Sequence, residues 1–372
     1  MKRLIALLLC LASLSLCACS SIYEKEYTVV EPFVPAAPMP VLSGDKVTVR
    51  SYGALRMALQ NMVMAGKSQG SIVFDQDYEG DAAQDLSNAC WQLRTENALC
   101  AYCVENISYT VSTVLTNDEA QISIVYGDTG VGVEDIVLMP YATALDQALE
   151  EALRRGDAQL VVLISYSTYS AATMEGTLTR LYRENPLSAP AEPGFSVSVF
   201  SGTGMQKLYD VSIDYSMADA ARLARMQELE AAIPFREAEL SRLSAAEKLY
   251  AVMEYLSGSV LLGGGGSVYE ALVLKNTDSE GLALATVALC RRLGLKCQAV
   301  YGQKNWQEHC WNIVELDGMR CHLDMSEYLG EGLVNAALYD DQQFWGSYRW
   351  DTSAYPACRG SMSHDELVNG QG

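Results

Sequence analysis

The chain has 372 residues, 49% of them apolar, and a formal net charge of -20. The apolar fraction is ample for packed cores. The acidity argues against nucleic acid and against anionic lipid headgroups as direct partners, and solubility alone accounts for it.

In chain order, Lys2 and Arg3 precede an apolar run, Leu4 to Leu16, that is too short to span a bilayer comfortably. Leu16-Cys17-Ala18-Cys19 comes next, and it resembles the lipobox of bacterial lipoproteins. The resemblance implies that residues 1–18 are a signal peptide and that Cys19 carries a diacylglyceryl lipid with palmitate-type chains. The protein is then held on the extracytoplasmic face of a bacterial cell membrane. An ordinary signal peptide cut elsewhere is the alternative. Residues 19–43 read as a tether, because Pro32, Pro35, Pro38 and Pro40 break helices and sheet ladders. The folded part is expected from Gly44.

Of eleven cysteines, Cys10, Cys17 and Cys19 fall in the signal region, leaving Cys90, Cys100, Cys103, Cys290, Cys297, Cys310, Cys321 and Cys358. An exported chain can oxidise them. Cys100-Ala-Tyr-Cys103 has redox or zinc spacing, but no second CxxC or nearby histidine completes a ligand set. No metal or cofactor is expected.

Residues 44–130 and 131–216 echo one another. Tyr52, Leu55, Ala58-Leu59 and Gly66 match Tyr141, Leu145, Ala148-Leu149 and Gly156, and Ile72 to Phe74 match Val161 to Leu163. The offset stays at 88 to 90 residues. Each copy opens with apolar residues at helical spacing, then shows a short strand, a second helix (82–97, 171–184) and two alternating strands. The expectation is two tandem α/β modules. Within the first, Asp75-Gln-Asp77-Tyr-Glu79-Gly80 has the start of a calcium loop, but the closing glutamate position falls on Leu86.

Residues 217–372 read as a helical lead-in and a further α+β domain. Leu223, Met226, Leu229 and Ile233 suggest one apolar helical stripe, broken at Pro234, and a second helix runs from Ala245 to Leu256. Gly263 to Gly266 lacks the Lys-Ser/Thr of a phosphate loop and reads as a linker. Thr277-Asp-Ser279-Glu280 has capping-box spacing, with Thr277 as the cap. A helix comes next, then a strand (Lys296 to Tyr301) and a hairpin turning at Asp317-Gly318. With Leu316 facing Met319, Ile313 faces His322 and Trp311 faces Asp324. His309, Trp311, His322 and Asp324 then share one face, with His309 and Asp324 diagonal neighbours. That arrangement suits a carboxylate orienting an imidazole. His364 falls in a polar tail and is expected to be solvated.

Ser279-Glu-Gly281-Leu-Ala283, Gly302, His309-Cys-Trp311-Asn312, Asp317-Gly318 and Asp324-Met-Ser326 together resemble the transglutaminase-like superfamily, whose core is papain-like. The family places a cysteine at the helix start, then the histidine and the aspartate; the resemblance therefore implies catalytic positions at Ser279, His309 and Asp324. Here the nucleophile position holds serine. A thiol at a helix N-terminus facing an imidazole ionises readily, whereas a hydroxyl needs a matched base and oxyanion hole. Cys290 cannot stand in, being eleven residues and about 16 Å along the same helix. The leading expectation is a non-catalytic domain that binds a cell-envelope protein or peptide in a cleft lined by Trp306 and Trp311. A hydrolase or acyl transferase using Ser279, His309 and Asp324 is the alternative.

Overall fold

The computed structural model describes residues 41–43, 46–235, 242–329, 333 and 336–369. The signal segment, Cys19 and most of the tether lie outside the described residues. No helix among the described residues is long and apolar enough to cross a membrane.

The first sheet has the order β1 (Val41–Ser43), β2 (Lys46–Val49), β3 (Gln69–Phe74), β5 (Asn117–Tyr126), β4 (Val104–Val114). Helix α1 (Tyr52–Met64) lies between β2 and β3 in the chain, and α2 (Ala82–Glu96) and α3 (Ala98–Cys103) lie between β3 and β4. The second sheet has the order β6 (Val137–Tyr141), β7 (Gln159–Tyr166), β9 (Lys207–Asp214), β8 (Gly194–Ser201), with α4 (Leu145–Arg155) and α5 (Ala171–Glu184) in the same chain positions. In both, the first α/β crossover joins parallel strands and the last two strands form an antiparallel hairpin. The helices start where side chains can accept orphan backbone donors: Ser51 for α1, Asp81 for α2 and Ser170 for α5.

The calcium-like loop is occupied locally. Asp75 takes Arg50 at 3.2 Å and the Asp77 amide at 3.1 Å, while Leu86 is fully buried. Cys100 and Cys103 are buried on α3, and burial pushes their thiols up to about 12 and about 11. All eight described cysteines are free thiols.

The core of the second module is continuous with that of the C-terminal domain, running from Leu149 and Met174 through Leu249 to Leu284 and Leu323. Arg291 ties the two by donating to the Glu184 carbonyl and pairing with Glu150 at 3.0 Å. Between them, α6 (Asp219–Ala232) follows the expected stripe except at its start: Leu229 is buried and Met226 and Ile233 pack on the core, while Leu223 is 54% exposed and the buried Arg222 lays its guanidinium over Tyr215.

Helix α7 (Ala245–Ser259) leads into β10 (Leu261–Gly265), which pairs in parallel with β11 (Asn276–Thr277). The glycine run is thus a strand and not a linker, and its missing side chains let the two backbones approach. Helix α8 (Ser279–Arg292) packs on a four-stranded antiparallel sheet, order β14 (Met319–Leu323), β13 (Gln307–Leu316), β12 (Lys296–Lys304), β15 (Tyr348–Arg349). The hairpin register runs from Leu316↔Met319 through Ile313↔His322 to Asn312↔Leu323. The sheet's other face carries Trp311, Phe344, Tyr348 and Trp350. A final helix, α10 (His364–Asn369), comes after the short α9 (Asp341–Phe344); His364 is half-buried against Tyr250 instead of solvated.

Candidate functional site

Ser279 is the first residue of α8. The cap is Asp278, not Thr277: one Asp278 oxygen accepts from the Glu280 and Gly281 amides at 2.9 and 3.0 Å. Thr277 is fully buried and donates to the Gly265 carbonyl at 2.7 Å. The helix begins at Ser279, so Thr277 stands one residue before the cap position, in β11. Gly281 is required here, because a Cβ would sit 2.1 Å from the Thr277 hydroxyl and 2.7 Å from the Ser267 carbonyl.

Asn312 sets α8 against the strand that carries His309. Its buried amide donates to the Ala283 carbonyl at 3.0 Å, one turn after Ser279. Gly302 does the corresponding work on β12: a Cβ would lie 2.3 Å from the Arg349 carbonyl and 2.6 Å from the Trp311 ring.

His309 and Asp324 come together as the register requires, with His309 Nε2 2.8 Å from Asp324 Oδ2. Asp324 is an acceptor only when ionised, so Nε2 carries the proton and Nδ1 is the basic nitrogen. The carboxylate is 3% exposed and heavily partnered. Tyr348 Oη donates at 2.7 Å, Lys304 Nζ at 3.0 Å, and the Ser326 amide and hydroxyl at 2.9 and 2.6 Å. Burial alone would push this carboxyl up. The hydrogen bonds from His309, Ser326 and Tyr348 outweigh it and hold the group well below the usual carboxylate range. Lys304 also reaches Glu327 at 2.9 Å, and Tyr348 reaches it at 3.1 Å. Motif reading did not single out Lys304, Tyr348 or Glu327. Tyr348 is distant in sequence, and only the pairing of β15 with β12 brings it in.

Ser279 is held by the neighbouring strand β13. Its Oγ accepts a hydrogen bond from the Cys310 amide at 3.2 Å, and among the described residues no hydrogen bond joins it to His309. Asp278 and Glu280 flank it, and both raise the neighbouring Cys310 thiol electrostatically, after burial, to about 12. An open depression of about 610 Å³, lined by Arg183, Glu192, Ser267, Glu270 and Glu280, borders this first turn.

The two tryptophans separate. Trp306 is 78% exposed at the β12–β13 turn. Trp311 is 1% exposed and packs behind His309, so it does not line a cleft. Its large ring fills the core between Gly302 and Phe344, and its Nε1 donates to His322 Nδ1 at 3.0 Å. That bond fixes the His322 tautomer: Nδ1 accepts, so Nε2 is protonated and donates to Asp341 at 2.9 Å. Burial holds His322 below its ordinary pKa despite Asp341. His322, Asp341 and Cys358 place ligand-type atoms within 4.8 Å of one another. With both ring nitrogens engaged, the imidazole offers no lone pair to a cation.

Residues 235–325 match the family model of the transglutaminase-like superfamily, so the chain contains a transglutaminase-like domain. Among solved structures, it is similar to a TGase at 12% identity, over 56% of this chain and 62% of that one, with a TM-score of 0.26. It is also similar to a cysteine-protease candidate from Cytophaga hutchinsonii at 12% identity, over 46% and 73%, with a TM-score of 0.21. The chain thus spans less than two thirds of the TGase. No curated protein matches the sequence.

Proposed function

We propose that this protein is a bacterial lipoprotein, anchored through Cys19 on the extracytoplasmic face of the membrane, whose transglutaminase-like domain binds a cell-envelope peptide or protein without turning it over. The observation that carries the reading is the engagement of Ser279. Its oxygen accepts from the Cys310 amide and is not hydrogen-bonded to His309. A serine can act as nucleophile only when a base takes its proton. The basic Nδ1 of His309 is left without that task, while Nε2 and Asp324 retain a geometry that holds the hairpin together.

The second reading, acyl transfer by Ser279, His309 and Asp324, draws on that same 2.8 Å pair. Labelling with a fluorophosphonate probe separates the two. The proposal expects no label on folded protein, in wild type or in Ser279→Ala. A label present in wild type and lost in Ser279→Ala would replace it with the acyl-transfer reading. Anchoring is tested separately by metabolic labelling with a palmitate analogue. The lipid should be absent from Cys19→Ala; incorporation that survives the substitution refutes the anchor.

A further inference from the structure

Beyond the Ser279 cleft, two exposed indoles and the half-buried Arg349 form a stack. Arg349 Cζ lies 5.5 Å from the centroid of Trp306 and 5.1 Å from that of Trp345, so both indoles engage the guanidinium. Trp306 and Trp345 are 78% and 47% exposed. Arg349 Nη1 donates to the Trp345 and Tyr348 carbonyls. The two turns are clipped together by the Asn305 amide on the Ser347 carbonyl at 2.9 Å. Once Nη1 is used, Nε and Nη2 remain, and that edge of the guanidinium is the one that meets a carboxylate with two parallel hydrogen bonds.

Two features point outward. Among the described residues no carboxylate pairs with Arg349, although the chain carries a net charge of -20 and Glu308 lies across Gln303 on the same face. And Trp306 sits where its backbone is unfavourable. Asn305 and Trp306, with φ of +51° and +69°, make the two-residue turn between Lys304 and Gln307. Glycine suits the second position of such a turn, and a bulky exposed ring there is a rare occupant. Strain held at an exposed site points to function.

The stack is seated on the edge of the sheet: the Trp345 ring packs edge-on against Trp350, and β15, which carries Arg349, pairs with β12.

We propose that Trp306, Arg349 and Trp345 form a carboxylate clamp that selects an acidic peptide, the carboxylate seated on the Nε–Nη2 edge of Arg349 and flanked by the two indoles. This rests on the reading that the domain binds peptide. The source of the carboxylate, a side chain or a chain terminus, is left to the probes.

The test is fluorescence anisotropy on the mature protein with three fluorescein-labelled peptides. They are Gly-Ala-Glu-Ala-Gly amide, the same peptide with glutamine, and the glutamine peptide with a free C-terminus. The glutamine amide should bind at least about ten-fold more weakly than whichever carboxylate peptide is preferred, as loss of a charge-assisted bidentate contact implies. Arg349→Gln should remove that preference. Trp306→Gly should weaken binding about ten-fold while Tm holds or rises, because glycine relaxes the turn. That variant keeps the test independent of folding. Equal affinity for all three peptides, or a preference that survives Arg349→Gln, overturns the clamp and leaves the cleft reading standing. Binding of no peptide overturns the clamp, and the fluorophosphonate result still judges the cleft reading. Cleavage of a clamped peptide, seen by mass spectrometry, removes the non-catalytic reading and leaves the clamp in place.

Discussion

Replacing Asp324 by alanine should destabilise the domain by about 3 kcal/mol, near the lower end of the range for breaking a buried ion pair. The magnitude depends on where each partner can go. Lys304 and Tyr348 already contact Glu327, at 2.9 and 3.1 Å, so both keep an acceptor. The Ser326 amide has no such fallback, and His309 Nε2 has only the Ser326 hydroxyl at 3.5 Å. Each then faces a desolvated donor's cost of about 1–3 kcal/mol. Glu327→Ala alone should cost less than about 1 kcal/mol, because Asp324 still serves both partners. The double variant should exceed the sum of the single ones by about 1 kcal/mol, since it strands Lys304 as well. Urea denaturation of the four proteins measures this cycle. Additive losses would refute the shared-acceptor account.

The same carboxylate sets a pH signature. Its folded pKa is depressed below the unfolded value of about 3.9, so its contribution is fully present above that value and is lost as pH falls through the folded pKa. The gap in stability between wild type and Asp324→Asn should therefore be constant from pH 7 to about 5 and shrink below about 4. A gap that is unchanged at pH 3 would mean that the carboxyl is not held ionised by its neighbours.

His322 should give the opposite end of the scale. Its folded pKa is lowered, so the unfolded chain takes up the proton first and stability falls as pH drops below about 6.5. That segment of the pH–stability curve, measured by thermal melts, should flatten in His322→Gln. Gly302→Ala should cost about 2–3 kcal/mol, because its Cβ would press on the Arg349 carbonyl and the Trp311 ring; an unchanged Tm would show that β15 moves freely. Ser279→Cys should place one reactive thiol at the start of α8. Buried cysteines such as Cys90, Cys100 and Cys358 are pushed up to about 11 or 12, so brief iodoacetamide treatment should add one carbamidomethyl group, mapped to position 279. Labelling no faster than at those cysteines would show that the helix start does not activate a nucleophile.

The hairpin was legible in the sequence because two short-range signals agreed: Asp317-Gly318 marked the turn, and alternation then set the pairs from Leu316↔Met319 to Asn312↔Leu323, just past which His309 meets Asp324. The fold class emerged from periodicity in the same way, as α2 and α5 show. Reading polar residues by their nearest neighbours failed. Thr277 has capping spacing, but it belongs to β11 and the helix starts one residue later, on the Asp278 cap. Gly263 to Gly266 has linker composition, but β11 pairs with it. Trp311 has the chemistry of a binding residue, but alternation and the absent side chain at Gly302 bury it. Lys304, Tyr348 and Arg349 could not be grouped at all without β15, a strand of two residues with no periodic signal.

These misses share a cause that bears on the site. Asp324 draws its donors from β12, β13, β15 and the turn after β14, so it closes the end of the sheet with or without any chemistry. A His–Asp pair embedded in that way persists for stability even when the nucleophile is lost. The pair is therefore weak evidence of catalysis. Ser279 carries the question instead, because its Oγ takes only a backbone amide at 3.2 Å and adds little to the sheet, so the fluorophosphonate result at that hydroxyl reports on chemistry and not on packing.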